Sequence, residues 1–315
     1  MAAADGSQHS AGRPSYSSPL PLIRAMRDFA ASSHVRFGLF DVPRFVPRRS
    51  SSQPYGWLDA VRINPDLALK IAVEQNNVGA ARGALYYGAN PNLTMCRPDL
   101  AGEDGEDRIL SYASRHGLVD MVELLLQWRA DVHAGRVEYP LQTASYLGHT
   151  DVVNVLLRYG ANPRGHPDVF LGAAQKGHID IVKIFIEAGV DVHEVGQEAL
   201  RLAAGDGQVD AILFFLSQGV DVNAEGTDGQ ALQAAAKNGQ VEAIRVLLAK
   251  GANIHANDDA ALIQAAVNGR LEAVQALLEA GANVHARNDA AFAIAGGRRR
   301  AQIIRLLQEE AGLPP

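Results

Sequence analysis

The sequence predicts an all-α solenoid of stacked helix-turn-helix units. Three observations carry the prediction. A short pattern opening on glycine recurs six times, as Gly117-Leu118-Val119-Asp120, Gly148-His149-Thr150-Asp151, Gly177-His178-Ile179-Asp180, Gly207-Gln208-Val209-Asp210, Gly239-Gln240-Val241-Glu242 and Gly269-Arg270-Leu271-Glu272, with the glycines 31, 29, 30, 32 and 30 residues apart. Each period holds two short stretches with apolar residues at helical spacing, on either side of that glycine. The first stretch carries small residues and the second carries bulk. An even period near 30 residues is the signature of a repeat array, in which no unit buries its apolar face alone and neighbours must stack.

The copy around Gly239 shows the elements in order. Leu232, Ala235 and Ala236 form the apolar face of a first helix, and Val241, Ile244, Leu247 and Leu248 that of a second. Gly239 ends the first helix and Gly251 the second, because glycine takes positive φ without a Cβ clash. The pairs Ala173-Ala174, Ala203-Ala204, Ala235-Ala236 and Ala265-Ala266 let first helices approach closely. Leu125-Leu126, Leu156-Leu157, Phe185-Ile186, Phe215-Leu216, Leu247-Leu248 and Leu277-Leu278 hold second helices further apart, which curves the stack.

The unit resembles the ankyrin repeat, whose pattern runs T-P-L-H-x-A-A-x-x-G-H and then V-x-x-L-L-x-x-G-A-D. Tyr139-Pro140-Leu141-Gln142-Thr143-Ala144 stands at the first segment, Gly148-His149 and Gly177-His178 at the G-H step, and Gly160-Ala161-Asn162, Gly251-Ala252-Asn253 and Gly281-Ala282-Asn283 at the ending. The resemblance covers roughly residues 66–311. Two flanking units bring the count to eight. One has Ala72, Asn76 in the glycine slot and Gly88-Ala89-Asn90; the other has Ala295, Gly297 and Leu306-Leu307, with Arg298, Arg299 and Arg300 giving it the polar face of a cap. Most copies are shorter than the family's usual period, and the missing residues fall where the family builds a β-hairpin finger. The resemblance therefore implies short loops or reduced β-hairpins, with Gly226-Thr227-Asp228-Gly229 the one segment that keeps something like the usual turn. It also implies turn and capping roles for His149 and His178.

In ankyrin proteins the two residues before the G-H step face a concave groove that binds protein partners. Carried over, the groove positions are Arg115 and His116, Tyr146 and Leu147, Gln175 and Lys176, Gly205 and Asp206, Lys237 and Asn238, and Val267 and Asn268, with Glu74 and Gln75 in the first unit. Most are polar. Tyr146 beside Leu147, flanked by Arg115, His116 and Lys176, is either an interface anchor with a polar rim or a ring packed on the neighbouring repeat. The local cations on an acidic body suggest an acidic or phosphorylated peptide.

Two segments lie outside the pattern. Residues 1–56 are rich in Ser, Pro and Arg and read as a disordered tail preceding a repeat domain over 57–315. Leu22, Met26 and Phe29 sit at helical spacing there, as a docking peptide or as incidental periodicity, and Ser18-Pro19 and Ser50-Ser51-Ser52 are candidate phosphorylation sites. An Arg-rich, acid-poor start also describes a mitochondrial transit peptide. Trp57, Leu58 and Val61 are placed to cover the first unit. Residues 92–107, with five acids (Asp99, Glu103, Asp104, Glu106 and Asp107), read as a loop inserted between the first two units, for binding or simply tolerated.

Composition bounds the function. The chain of 315 residues is 47% hydrophobic and carries a net charge of -6. Residues 1–56 carry seven Arg, no Lys and three acids, which makes the tail +4 and the remainder -10. An acidic body disfavours phosphate backbones, so no nucleic acid partner is expected. No run approaches the ~18 apolar residues of a membrane helix, so no membrane partner is expected either. A single cysteine, Cys96, points to a reducing compartment, cytoplasmic or nuclear.

Constellations that mimic chemistry have structural readings. The acids three residues after each glycine fall in the first turn of a second helix, where free N–H groups and the helix dipole favour them. His133, His193, His255 and His285 recur in one slot, but stacked helices ~8–10 Å apart cannot bring them within ~2.1 Å of one ion. No phosphate loop, nucleophile elbow or zinc helix motif is present, and no catalytic, cofactor or metal residues are assigned. The expected function is a monomeric scaffold or adaptor binding a protein or peptide. The alternative is a regulatory or substrate-recognition subunit, such as a ubiquitin-ligase adaptor, whose tail recruits a second protein.

Overall fold

The computed structural model describes residues 61–62, 64–96, 106–133, 139–224, 229–295 and 299–312. Expectations for Leu22, Met26, Phe29, the serine sites, Trp57, Leu58, the acids at 99, 103 and 104, Gly226 to Asp228, Gly297 and Arg298 lie outside them. Sixteen helices and two short strands occur among the described residues, in two compact units that divide between Leu93 and Thr94.

Among the described residues the first unit holds the helix pair α1 (Pro65–Glu74) and α2 (Val78–Tyr86). Asn64 and Asn77 cap the two starts by accepting from Leu67 N–H and Ala80 N–H at 3.0 and 2.9 Å. Asn76 takes the glycine slot with φ +50, which asparagine tolerates better than most residues.

The second unit opens on β1 (Thr94–Cys96) and β2 (Glu106–Arg108), paired antiparallel with Met95 opposite Asp107. The two ends of the insertion therefore pair as a short antiparallel ladder. Met95 on β1 is buried, at 3% exposed. Seven helix pairs follow: α3 (Ile109–Arg115) with α4 (Val119–Gln127), α5 (Tyr139–Leu147) with α6 (Thr150–Arg158), α7 (Pro167–Gln175) with α8 (Ile179–Glu187), α9 (Val192–Asp206) with α10 (Val209–Ser217), α11 (Gln230–Asn238) with α12 (Val241–Ala249), α13 (Ala260–Val267) with α14 (Leu271–Glu279), and α15 (Ala286–Ile294) with α16 (Arg300–Glu310).

Within the second unit each first helix packs on the next first helix, and each second helix on the next second helix. The first helices meet more extensively, as their alanines predict. Ala173, Ala174, Ala203, Ala204, Ala235, Ala236, Ala265 and Ala266 are fully buried. Phe170, Phe185 and Phe215 are the largest buried side chains, and the rings of Phe170 and Phe215 lie 6.1 Å apart between the two helix layers.

The loops between units are short, each for its own reason. Asp191 accepts from His193 N–H at 2.8 Å and starts α9 early, so the loop is absorbed into a helix of 15 residues. Gly196 makes room for that extension, since a Cβ there would lie 2.6 Å from Val220 Cγ2. Two other connections use left-handed turns, Asn257 to Asp259 with φ of 52–55° and Arg287 to Asp289 with φ of 49–60°. The latter run lies inside the bounds of α15, so its right-handed part starts after Asp289. Consecutive left-handed residues are costly outside glycine, although Asn and Asp visit the region most readily. Asp259 anchors the first turn: it is 4% exposed and accepts from His255 Nδ1–H at 3.1 Å and from Asn283 N–H of the next repeat at 2.8 Å.

Candidate protein-binding groove

The recurrent glycines all have positive φ, from 65° to 80°. Gly148 shows that φ is only half of their role. A Cβ at 148 would lie 2.6 Å from His178 Cε1, in the space through which the His178 ring reaches back to the preceding repeat. His178 Nε2–H donates to the Tyr146 carbonyl at 3.1 Å, and His149 Nε2–H donates to the Arg115 carbonyl at 2.9 Å. Gln240 Nε2–H reaches the Gly205 carbonyl at 3.3 Å, and Arg270 Nε–H the Lys237 carbonyl at 3.1 Å. The acceptors belong to the last turn of each first helix, whose carbonyls have no partner within the helix.

This corrects the capping role implied for His149 and His178. Neither side chain caps its own helix; both tie one repeat to the one before. Five of the six copies hold a side chain with an N–H donor in that slot, His149, His178, Gln208, Gln240 and Arg270, while the first holds Leu118. The acids that follow keep their expected place. Asp120, Asp151, Asp180, Asp210, Glu242 and Glu272 lie exposed in the first turns of the second helices.

The ladder fixes the backbone of the candidate positions and leaves their side chains to line one strip of the second unit. Its centre is built across three repeats. Lys176 Nζ donates to Asp206 Oδ2 at 2.8 Å and stands 5.0 Å from the centroid of the Tyr146 ring. Gln175 Nε2 also donates to Asp206, at 3.3 Å. Hydrogen bonds to the Asp206 carboxylate and then to the Tyr146 hydroxyl hold the Lys176 ammonium above the usual lysine value. Tyr146 itself is 41% exposed, its inner edge near Gly172, where a Cβ would lie 3.5 Å from Tyr146 Cδ2. One side of the Tyr146 ring thus lies against the next repeat and the other faces solvent. Leu147 beside it is 44% exposed.

The ends of the strip differ from its centre. His116 stacks on Tyr112 with centroids 4.2 Å apart and donates from Nδ1–H to the Tyr112 carbonyl at 2.8 Å, while Arg115 beside it is half-buried. Asn238 Nδ2 donates to the Gly205 carbonyl at 2.7 Å, and Asn268 Nδ2 to the Gln264 carbonyl at 2.8 Å, so both amides serve the scaffold. Lys237 is exposed and its side chain has no ion-pair partner among the described residues. Val267 is 40% exposed.

The recurrent histidines form no centre. Backbone N–H groups of His133, His193, His255 and His285 close turns on Asp131, Asp191, Asn253 and Asn283. Among the described residues no group of three or more His, Cys, Asp or Glu is arranged to hold a metal ion, and no helix is long and apolar enough to cross a membrane.

The family model described as Ankyrin repeats (3 copies) matches residues 141–226, 170–258 and 200–288, and the one described as Ankyrin repeat matches residues 109–135. Together the matches span more than half of the chain.

Proposed function

The chain belongs to the ankyrin-repeat family, and on that premise we propose that it is a non-catalytic scaffold holding a protein partner against its first-helix strip. The observation that carries this reading is the pair Tyr146 and Leu147. Two adjoining apolar side chains stand 41% and 44% exposed in a strip that is otherwise mostly polar. The Tyr146 ring is held by Lys176 rather than left free, so little side-chain freedom is lost when a partner covers it. Partly buried aromatics inside a polar rim are the usual energetic centres of protein interfaces.

The test is quantitative affinity of an isolated partner for the full chain and for Tyr146→Ala. The expected result is a loss of about tenfold or more, as for a typical hot-spot residue. Unchanged affinity in a folded variant would remove the strip from the account. The +4 tail supports an adaptor role, in which residues 1–56 recruit a second protein. Comparing the proteins captured by residues 57–315 and by the full chain separates that role from a single-partner scaffold, in a cytoplasmic or nuclear setting consistent with one cysteine.

A further inference from the structure

The shape of the partner is written in where the strip is apolar, and this inference rests on the strip being the contact surface. Among the described residues, seven large apolar side chains of the second unit stand more than a third exposed. Four of them lie on the strip. Tyr146 and Leu147 stand toward one end, and Val267 and Ile294, 40% and 45% exposed, at the other. Ile294 belongs to α15, whose His285–Asp289 pair repeats the His255–Asp259 pair before α13, so Ile294 is the counterpart of Gln264. That register sets it beside Val267. The equivalent positions are in contact elsewhere: an added Cβ would lie 3.5 Å from Tyr146 Cδ2 at Gly172 and 3.6 Å from Ala234 Cβ at Gly205. The strip therefore has a second apolar site, in addition to the one at Tyr146.

Between the two sites the strip is polar. Asp206 already neutralises Lys176. Lys237 is exposed and has no ion-pair partner among the described residues, so it meets a partner as a bare cation one repeat from Val267. Packed helices stand ~8–10 Å apart, so the four steps from Tyr146 on α5 to Val267 on α13 cover roughly 32–40 Å. The strip has little to offer a partner's backbone. The carbonyls of Tyr146, Gly205 and Lys237 already accept from His178, Gln240 and Arg270. An extended partner pressed against it would leave its own facing N–H groups without acceptors, whereas a helix satisfies its backbone internally and needs side-chain contacts alone. At ~1.5 Å per residue a helix covers the span with about 21–27 residues.

We infer that the strip takes an amphipathic α-helix of about six to eight turns, apolar at both ends of its contact face and polar between. One end covers Tyr146 and Leu147, and the other covers Val267 and Ile294. A carboxylate about five to seven residues inside the second end meets Lys237.

The experiment is selection on the full chain from a displayed library of alanine-rich helices of about thirty residues, randomised along one face, with affinities then measured on the enriched peptides. Enriched faces are expected to be apolar at both ends, with an acid inside one of them. Tyr146→Ala and Val267→Asp should each weaken binding about tenfold, and Lys237→Glu by a similar factor, with circular dichroism unchanged. A proline placed in the middle of the peptide should abolish binding. Peptides that need Tyr146 but tolerate both Val267→Asp and Ile294→Asp would overturn the second site and leave the strip intact. Peptides that tolerate Tyr146→Ala, Leu147→Asp and Val267→Asp alike would overturn the strip itself. Binding that survives the central proline, or failure to enrich any peptide, would overturn a helical partner, and enrichment without an acid or indifference to Lys237→Glu would overturn the role of Lys237.

Discussion

Replacing Gly148 with alanine separates the two roles that the recurrent glycine combines. The first is conformational: Gly148 has φ +80, and an alanine there costs ~1–2 kcal/mol. The second is spatial. The new Cβ would lie 2.6 Å from His178 Cε1 and would push the ring off the Tyr146 carbonyl, which it now reaches at 3.1 Å. One such hydrogen bond contributes ~1 kcal/mol. Gly148→Ala is therefore expected to cost about 2–3 kcal/mol. Gly219→Ala supplies the reference: φ is +85 and nothing lies within 4 Å of the added Cβ, so only the ~1–2 kcal/mol of strain applies. His178→Ala alone should cost ~1 kcal/mol, and the double variant about 1 kcal/mol less than the sum of the two singles, because the ring cannot be displaced twice. Chemical denaturation followed by circular dichroism measures all four proteins, compared at equal slope with denaturant. Equal costs at 148 and 219, or strict additivity with His178→Ala, would show that the glycine serves backbone geometry alone.

Other sites give independent checks. Gly172 lies inside α7, and its added Cβ meets only Tyr146, at 3.5 Å for the nearest atom, so Gly172→Ala should stabilise by about 0.5–1 kcal/mol in the same denaturation assay. Asp259→Ala removes the acceptor for His255 and for Asn283 N–H at a site 4% exposed; a loss of about 1–3 kcal/mol is expected, with faster amide exchange at Asn283. The Lys176 pKa is raised by its bonds to Asp206 and Tyr146, so the stability it adds is complete below the ordinary lysine value of 10.5 and is lost as pH rises through the higher folded value. The stability difference between the native chain and Asp206→Asn, at most ~1 kcal/mol for this partly exposed pair, should stay flat from neutral to mildly alkaline pH and shrink only above that range.

Most of the architecture was legible because the repeat itself supplies the control. Six glycines in register, alanine doublets on one helix and bulky doublets on the other left little freedom in how the helices stack. What the sequence hid depends on contacts between repeats. His149 and His178 read as turn residues until their rings are seen crossing to Arg115 and Tyr146. The strand pair at 94–96 and 106–108 escaped because three-residue strands are too short for alternation to register. The left-handed turns at 257–259 and 287–289 oppose ordinary propensity and are held by local side chains such as Asp259. The candidate strip was read position by position from the repeat register. Its central feature, Lys176 shared between Tyr146 and Asp206, joins three repeats and has no signature in any one of them.

The claim that the partner meets the first helices is tested most directly by one matched pair of variants. Leu147 on α5 and Leu213 on α10 are similarly exposed, at 44% and 37%, so an aspartate at either should leave the fold intact. Affinity of the isolated partner is predicted to fall about tenfold or more for Leu147→Asp and to stay unchanged for Leu213→Asp. A loss confined to Leu213→Asp would place the partner on the second helices and contradict the account.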